Sequence, residues 1–136
     1  MIAYKIENNL GLQEFKQILL SSTFADRRPF NDDDRLTKML SNASLIITAR
    51  DKGILVGVSR SISDFSYCTY LSDLAVSSSH QHQGIGKELI RRTKIESKEA
   101  KVILLSAPLA VSYYPKIGIR QFDQCFILDE LDDLKN

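Results

Sequence analysis

An α+β fold is what this sequence predicts, and three observations carry that reading. Apolar residues recur at helical spacing near the N-terminus and again after Gly84; between them lie three β-rich stretches at short intervals; and a continuous apolar run, Val102 to Leu105, follows the second helical region. Strand, helix and buried strand make a βαβ unit, so that last run should lie parallel to the strand before the helix. The three earlier stretches should form an antiparallel meander.

Taken in order, Ile2, Tyr4 and Ile6 alternate with polar neighbours and predict a short opening strand. Leu12, Phe15, Ile18 and Leu19 predict a first helix. The acidic run Asn31 to Asp34 suits a helix N-terminus, with Leu36, Met39 and Leu40 on one face of a second. Leu45 to Ala49 and Ile54 to Ile62, joined by turn residues at Asp51 to Gly53, predict a hairpin. Thr69 to Val76 supplies the third strand, after the polar turn Ser63 to Ser66. From Gly84, the spacing of Ile85, Leu89 and Thr93 predicts an amphipathic helix reaching about Ala100. Val102 to Leu105 reads as a strand buried on both faces. A short helix near Leu109 to Tyr114 and a last strand near Gln124 to Leu128 complete the chain, with 129–136 expected to fray.

The 136 residues carry 18 Lys+Arg against 17 Asp+Glu, a net charge of +1. Such balance excludes a general nucleic-acid binder and a polybasic membrane-surface protein. No apolar run reaches the length of a membrane span and no signal peptide opens the chain, so a cytoplasmic protein of one domain over residues 1–136 is expected. Cys68 and Cys125 lie far apart and outside any CxxC, and are expected as reduced thiols, one or both buried.

Chemistry concentrates in Asp73 to Glu88. A strand leaves the sheet, crosses the polar loop Ser77 to Gln83, and enters a helix at Gly84 and Gly86. Glycines there let backbone approach a ligand and aim free N–H groups at it, and the helix dipole and Lys87 favour an anion. A dinucleotide fingerprint would need a third glycine where Leu89 stands, and a Walker A loop would need Ser or Thr where Glu88 stands. His80 and His82 lack the further ligands a zinc site requires, so no metal is expected. A Cys68, His80, Asp73 nucleophilic set has no nucleophile elbow around its cysteine.

Gln81-x-x-Gly84-x-Gly86, after a strand ending Leu74-Ala75-Val76, resembles the coenzyme A pyrophosphate loop of the GNAT superfamily of acyl-CoA-dependent N-acetyltransferases. A second match, Ala110-x-x-x-Tyr114-x-Lys116-x-Gly118, is similar to that family's tyrosine-bearing helix. The element order follows the family to about residue 128. The resemblance implies a mixed sheet, splayed between its fourth and fifth strands and flanked by helices in the order β-α-α-β-β-β-α-β-α-β. It departs from the family pattern at Ile119, at Ser106 and Ala107, and at Pro115, which predicts that the helix ends or kinks at Tyr114.

The resemblance implies acetyl-CoA as cosubstrate, held by Leu74, Ala75, Val76, Gln81, His82, Gln83, Gly84, Ile85, Gly86 and Lys87. His82 would contribute its backbone N–H. It implies a small-molecule or peptide amine as acceptor, attacking the thioester directly, in a monomer or homodimer without nucleic acid or membrane. N–H groups around Leu74 and Val76 would polarise the thioester carbonyl, and Tyr114 would protonate the leaving thiolate, with Tyr113 beside it as the other choice. Asp73, an acid in an otherwise apolar strand, is either the base that takes the amine's proton or a salt-bridge member that holds an Arg such as Arg60 on the neighbouring strand. Arg27-Arg28-Pro29 and Asp64 either flank the acceptor or are solvated surface. Two other readings stay open: a non-catalytic acyl-CoA sensor or partner module of the same fold, and a nucleotide-binding switch.

Overall fold

Strands β1 (Ile2–Ile6), β2 (Leu45–Asp51), β3 (Ile54–Ser63), β4 (Cys68–Val76) and β5 (Lys101–Ile103) make one sheet in that spatial order. The first four are antiparallel neighbours, and β5 runs parallel to β4. The mixed sheet and its flanking helices are those the sequence predicts. The computed structural model describes residues 1–136, which divide into two units, Met1–Leu105 and Ser106–Asn136.

The sheet belongs to the first unit and is covered on both faces. Helix α1 (Leu12–Ser21) buries Phe15, Ile18 and Leu19, one turn apart on a single stripe, and α2 (Asp33–Ser41) buries Leu36 and Leu40. These pack on Ile46, Val58 and Ala75. The N-terminus of α2 is capped by Asp32, whose carboxylate accepts from the Arg35 backbone N–H at 3.0 Å, as the acidic run predicts. On the opposite face, Ile85 and Leu89 of α3 (Ile85–Glu96) pack on Leu45, Ile47, Ala49 and Val56. Gly57 lets α3 close in: a Cβ there would lie 3.0 Å from Ile85 Cγ2 and 3.2 Å from Ala49 Cβ.

Two irregularities shape the site. The β3–β4 register runs Arg60 opposite Asp73 and then Ser61 opposite Leu71, so Ser72 is an extra residue bulged out of β4. Pairing of β4 with β5 covers Cys68, Thr69 and Tyr70 and ends there, so β4 continues to Val76 alone on that edge. The β4–β5 ladder thus ends where β5 does, at Tyr70 and Ile103.

Several expectations need correcting. β5 is not buried on both faces: it spans Lys101–Ile103, with Val102 half-buried and Ile103 45% exposed. It is an edge strand, and α3 packs mainly over β2, β3 and β4. α3 stops at Glu96, short of Ala100. Cys68 and Cys125 are both free and exposed, since one opens β4 at the sheet margin and the other lies in irregular chain.

In the second unit, a 3-10 turn at Pro108–Ala110 precedes α4 (Tyr113–Lys116). Pro115 neither ends nor kinks the helix at Tyr114. It sits in the first turn, where a missing N–H costs nothing because that donor has no intrahelical partner. The helix closes instead beyond Lys116, with Ile119 N–H donating to the Tyr114 carbonyl at 3.0 Å around Gly118. Residues 124–128 form no strand: an apolar run makes a segment compatible with a sheet, but a strand exists only where a ladder pairs it. The expected frayed tail contains a 3-10 turn, Leu131–Asp133, with a reciprocal cap between Glu130 and Asp133.

Candidate functional site

The loop from β4 to α3 is built in steps. Ser77 N–H donates to the Val56 carbonyl at 2.8 Å, tying the end of β4 to β3. A 3-10 turn, Ser78–His80, follows, and the Gln81 side-chain amide reaches back to the Val76 carbonyl at 3.1 Å. Gln81 thus closes the loop on itself and fixes its width. His80 bridges to the hairpin, with Nε2 2.9 Å from Asp51 Oδ2 and Nδ1 2.8 Å from Ser79 Oγ. That contact holds the Asp51 carboxyl below its ordinary value.

The chain then turns through left-handed backbone at His82 (φ 63°) and Gly84 (φ 82°). Gly84 is the N-cap of α3 and makes no side-chain cap bond. The first-turn N–H groups of Ile85, Gly86 and Lys87 therefore point outward with no acceptor inside the helix. Space above them is open: a Cβ on Gly84 would meet nothing within 4 Å, and one on Gly86 only Val76 Cγ2 at 3.8 Å. Gln81, His82, Gln83, Gly84 and Lys87 are exposed, while Ile85 is buried and locks the helix end to the sheet. Uncapped backbone donors with an exposed lysine beside them are the groups that an anion such as pyrophosphate asks for, and the residues present fit one.

Beside these donors runs the unpaired half of β4. Ala75 is buried against α1 and α2, while Leu74 and Val76 turn their side chains to the α3 face. All three are committed to the core by side chain, so what they can offer a ligand is backbone. The structure brings them together with the Gly84–Lys87 turn, as Val76 and Gly86 are neighbours.

Asp73 is 1% exposed and sits under the bulge. Its Oδ1 accepts from Arg28 Nε at 2.5 Å and its Oδ2 from Arg60 Nε at 2.5 Å. The same guanidinium groups hold Ser72: Arg28 Nη2 donates to its carbonyl at 2.8 Å and Arg60 Nη2 to its hydroxyl at 3.1 Å. Arg60 Nη1 also reaches the Met39 carbonyl at 3.2 Å. Arg28 is thus no solvated surface residue; its partner was hidden because it lies 45 positions away in sequence. Asp64 is a turn residue, its Oδ1 accepting from the backbone N–H groups of Ser66, Tyr67 and Cys68, which hold its carboxyl below the ordinary range. The spacing Asp-x-Ser between two strands carried that signal.

Tyr114 lies in α4 of the second unit, its ring edge-on to Tyr113 with centroids 5.4 Å apart. No group of three or more His, Cys, Asp and Glu side chains that could hold a metal gathers in the structure. No helix is long and apolar enough to cross a membrane.

Comparison with known proteins gives the same outline. The model of the acetyltransferase (GNAT) domain matches residues 12–132. A GNAT-family acetyltransferase of Streptococcus pneumoniae has a similar structure, with TM-score 0.78 and 24% identity over 96% of this chain and 98% of that one. A protein of methicillin-resistant Staphylococcus aureus matches at TM-score 0.77 and 19% identity, covering 96% of this chain and 100% of that one. AAC(6')-Iy, solved with the bisubstrate analogue CoA-S-monomethyl-acetylneamine, matches at TM-score 0.72 and 13% identity over 96% and 98%. These structural likenesses carry the fold. No curated protein sequence matches the chain.

Proposed function

The chain belongs to the GNAT family of acetyltransferases, and from that premise we propose that it transfers an acetyl group from acetyl-CoA to a primary amine of a small molecule or peptide. Residues 1–136 act in this reading as one acetyltransferase domain. The observation that carries it is the adjacency of two features. β4 loses its β5 neighbour after Tyr70, and the glycine-opened N-terminus of α3 stands at the end of that same strand. An anion cradle for pyrophosphate and an unpaired strand edge for an amide-bearing arm are what coenzyme A asks of a protein.

The reaction is written R–NH2 + CH3CO–S–CoA → R–NH–COCH3 + HS–CoA. The amine nitrogen attacks the thioester carbon, the C–S bond breaks, and the thiolate takes a proton. Backbone N–H groups of the unpaired part of β4 near Leu74 and Val76 stabilise the developing oxyanion. In this reading Tyr114 gives the thiolate its proton and regains one from water, which takes up the proton that the nitrogen loses as the amide forms. The amine, with an ordinary pKa near ~10, must arrive neutral or lose a proton on the way. Both oxygens of Asp73 are engaged by arginines, which supports a positioning role for Asp73 and leaves that proton to water.

The test is release of free thiol from acetyl-CoA in the presence of spermidine, neamine, lysine or dialanine, with the acetylated amine identified by mass. Neamine is included because of the acetylneamine analogue bound to AAC(6')-Iy. Amine-dependent thiol release with equal acetylated product supports transfer. Coenzyme A binding without thiol release for any amine would make the chain an acyl-CoA-binding module. Protection against heat by nucleotides and not by coenzyme A would overturn both.

A further inference from the structure

Arg28 joins two parts of the first unit that the sheet itself does not connect. It follows the 3-10 turn Ala25–Arg27 in extended conformation (φ −134°, ψ 158°), which Pro29 after it favours. Its guanidinium is gripped on three sides, by the Asp73 carboxylate at 2.5 Å, the Ser72 carbonyl at 2.8 Å and the Arg27 carbonyl at 2.8 Å. At the other end of the same segment, the Ser78 hydroxyl donates to the Ser21 carbonyl at the close of α1. The stretch 22–31 is therefore tied to the β4 side twice: just before its start, at Ser21, to the loop that follows Val76, and at Arg28 to the bulge at Ser72. It runs beside the half of β4 that β5 leaves unpaired.

Two arginines on one carboxylate are more than charge balance requires. Arg60 stands opposite Asp73 in register, is 5% exposed, and answers the buried charge from within the sheet. Arg28 comes from outside the sheet, with a side chain 18% exposed, and its bonds divide between a carboxylate and two main-chain carbonyls. Removing Arg28 leaves Asp73 paired with Arg60, so the loss falls on the position of the 22–31 segment.

We infer that Arg28 is a positioning residue that holds the 22–31 segment against the bulge of β4 and so governs access of the amine to the acetyl group, a role that rests on the transfer proposed above. The fork of the guanidinium is the working feature: an ammonium group at this site keeps the charge but is a single point that does not span Asp73 and the Ser72 carbonyl in one plane.

Two variants and two readouts test this. In Arg28→Gln, amide hydrogen exchange over residues 23–31 should quicken by at least about tenfold, while exchange in α3 stays within about twofold. With whichever of the four amines above turns over best, KM should rise at least about tenfold and coenzyme A affinity should change less than about twofold. Arg28→Lys should lie nearer to Arg28→Gln than to the parent in both readouts, and it carries the test if Arg28→Gln does not fold. Unchanged exchange over 23–31 in a folded variant overturns the anchoring. Quickened exchange with unchanged KM overturns the role in access, as does full rescue by lysine for the fork. A parent protein that releases no thiol with any amine sinks the transfer reading and the access role with it, and the exchange measurement then decides the anchoring on its own.

Discussion

Asp73 stands directly opposite Arg60 across the β3–β4 ladder, and the two side chains close a 2.5 Å ion pair on the buried face of the sheet. A carboxylate at this depth is stable only because it is paired, and its partner is equally dependent on it. The next position along β4 toward the N-terminus is the bulged Ser72, which both Arg28 and Arg60 also hold. The pair thus fixes the geometry of the strand where its other edge is bare.

Asp73→Ala should therefore be a stability mutant first. It leaves the buried Arg60 without its counter-ion, a loss of about 3 kcal/mol or more, equivalent to roughly 10 °C in Tm for a chain of this size. Thermal denaturation checks it. A variant that melts like the parent while losing turnover would return Asp73 to the role of proton acceptor.

Gly86→Asp separates ligand from fold. The position has ordinary room for a Cβ, with Val76 Cγ2 3.8 Å away, so folding should survive. A carboxylate placed at the first-turn N–H groups should weaken coenzyme A binding by at least about tenfold, or ~1.4 kcal/mol, read by calorimetry. Gly84→Ala should act differently: at φ 82° any side chain is strained, so it should cost about 1–2 kcal/mol of stability as well.

Tyr114→Phe removes one hydroxyl and little volume. It should lower kcat by about a hundredfold or more while coenzyme A affinity holds, with Tyr113→Phe as the control that keeps its activity. Reversal of the two results would move the acid by one residue.

Acid pH should weaken the fold through the carboxylates held below their ordinary range, among them three that arginines hold. Hydrogen bonds from Arg91 and then Arg92 bring Glu88 from 4.5 down to about 2, and Arg50 holds Glu7 and Glu14 below their ordinary range. Their folded values lie below the unfolded ones, so the stabilisation is complete above about pH 4.5 and is lost as pH falls toward 2. The Arg50–Glu7 pair, at 15% and 14% exposure, is less screened than Glu88 with Arg91 at 58%. Urea titrations across this range should show the decline, and Arg50→Met should make it shallower. A stability that stays level down to pH 2.5 would contradict the assignment.

The sequence by itself determined what depends on near neighbours. The stripe Phe15, Ile18, Leu19 can bury itself only as a helix, the Asp51 to Gly53 turn can only reverse the chain, and Gly84 gives the backbone the left-handed turn at which a helix begins. Periodicity and backbone freedom are local properties, so the order of elements from β1 through α3 and the mixed sheet could be read from the chain before any coordinate. Which of two roles Asp73 takes was left open, because its partners lie 13 and 45 residues away. Arg60 on the neighbouring strand could be named as a partner from the sequence, but tertiary structure alone decided that Arg28 joins it, that Ser72 bulges, and that Gln81 closes its own loop. It likewise decided that Ile103 stays at an exposed edge and that residues 124–128 pair with no strand. The physical reason is the same in each case: an ion pair, a bulge and a ladder are made between segments, and a segment's own sequence carries its capacity for such a bond and not the identity of its partner.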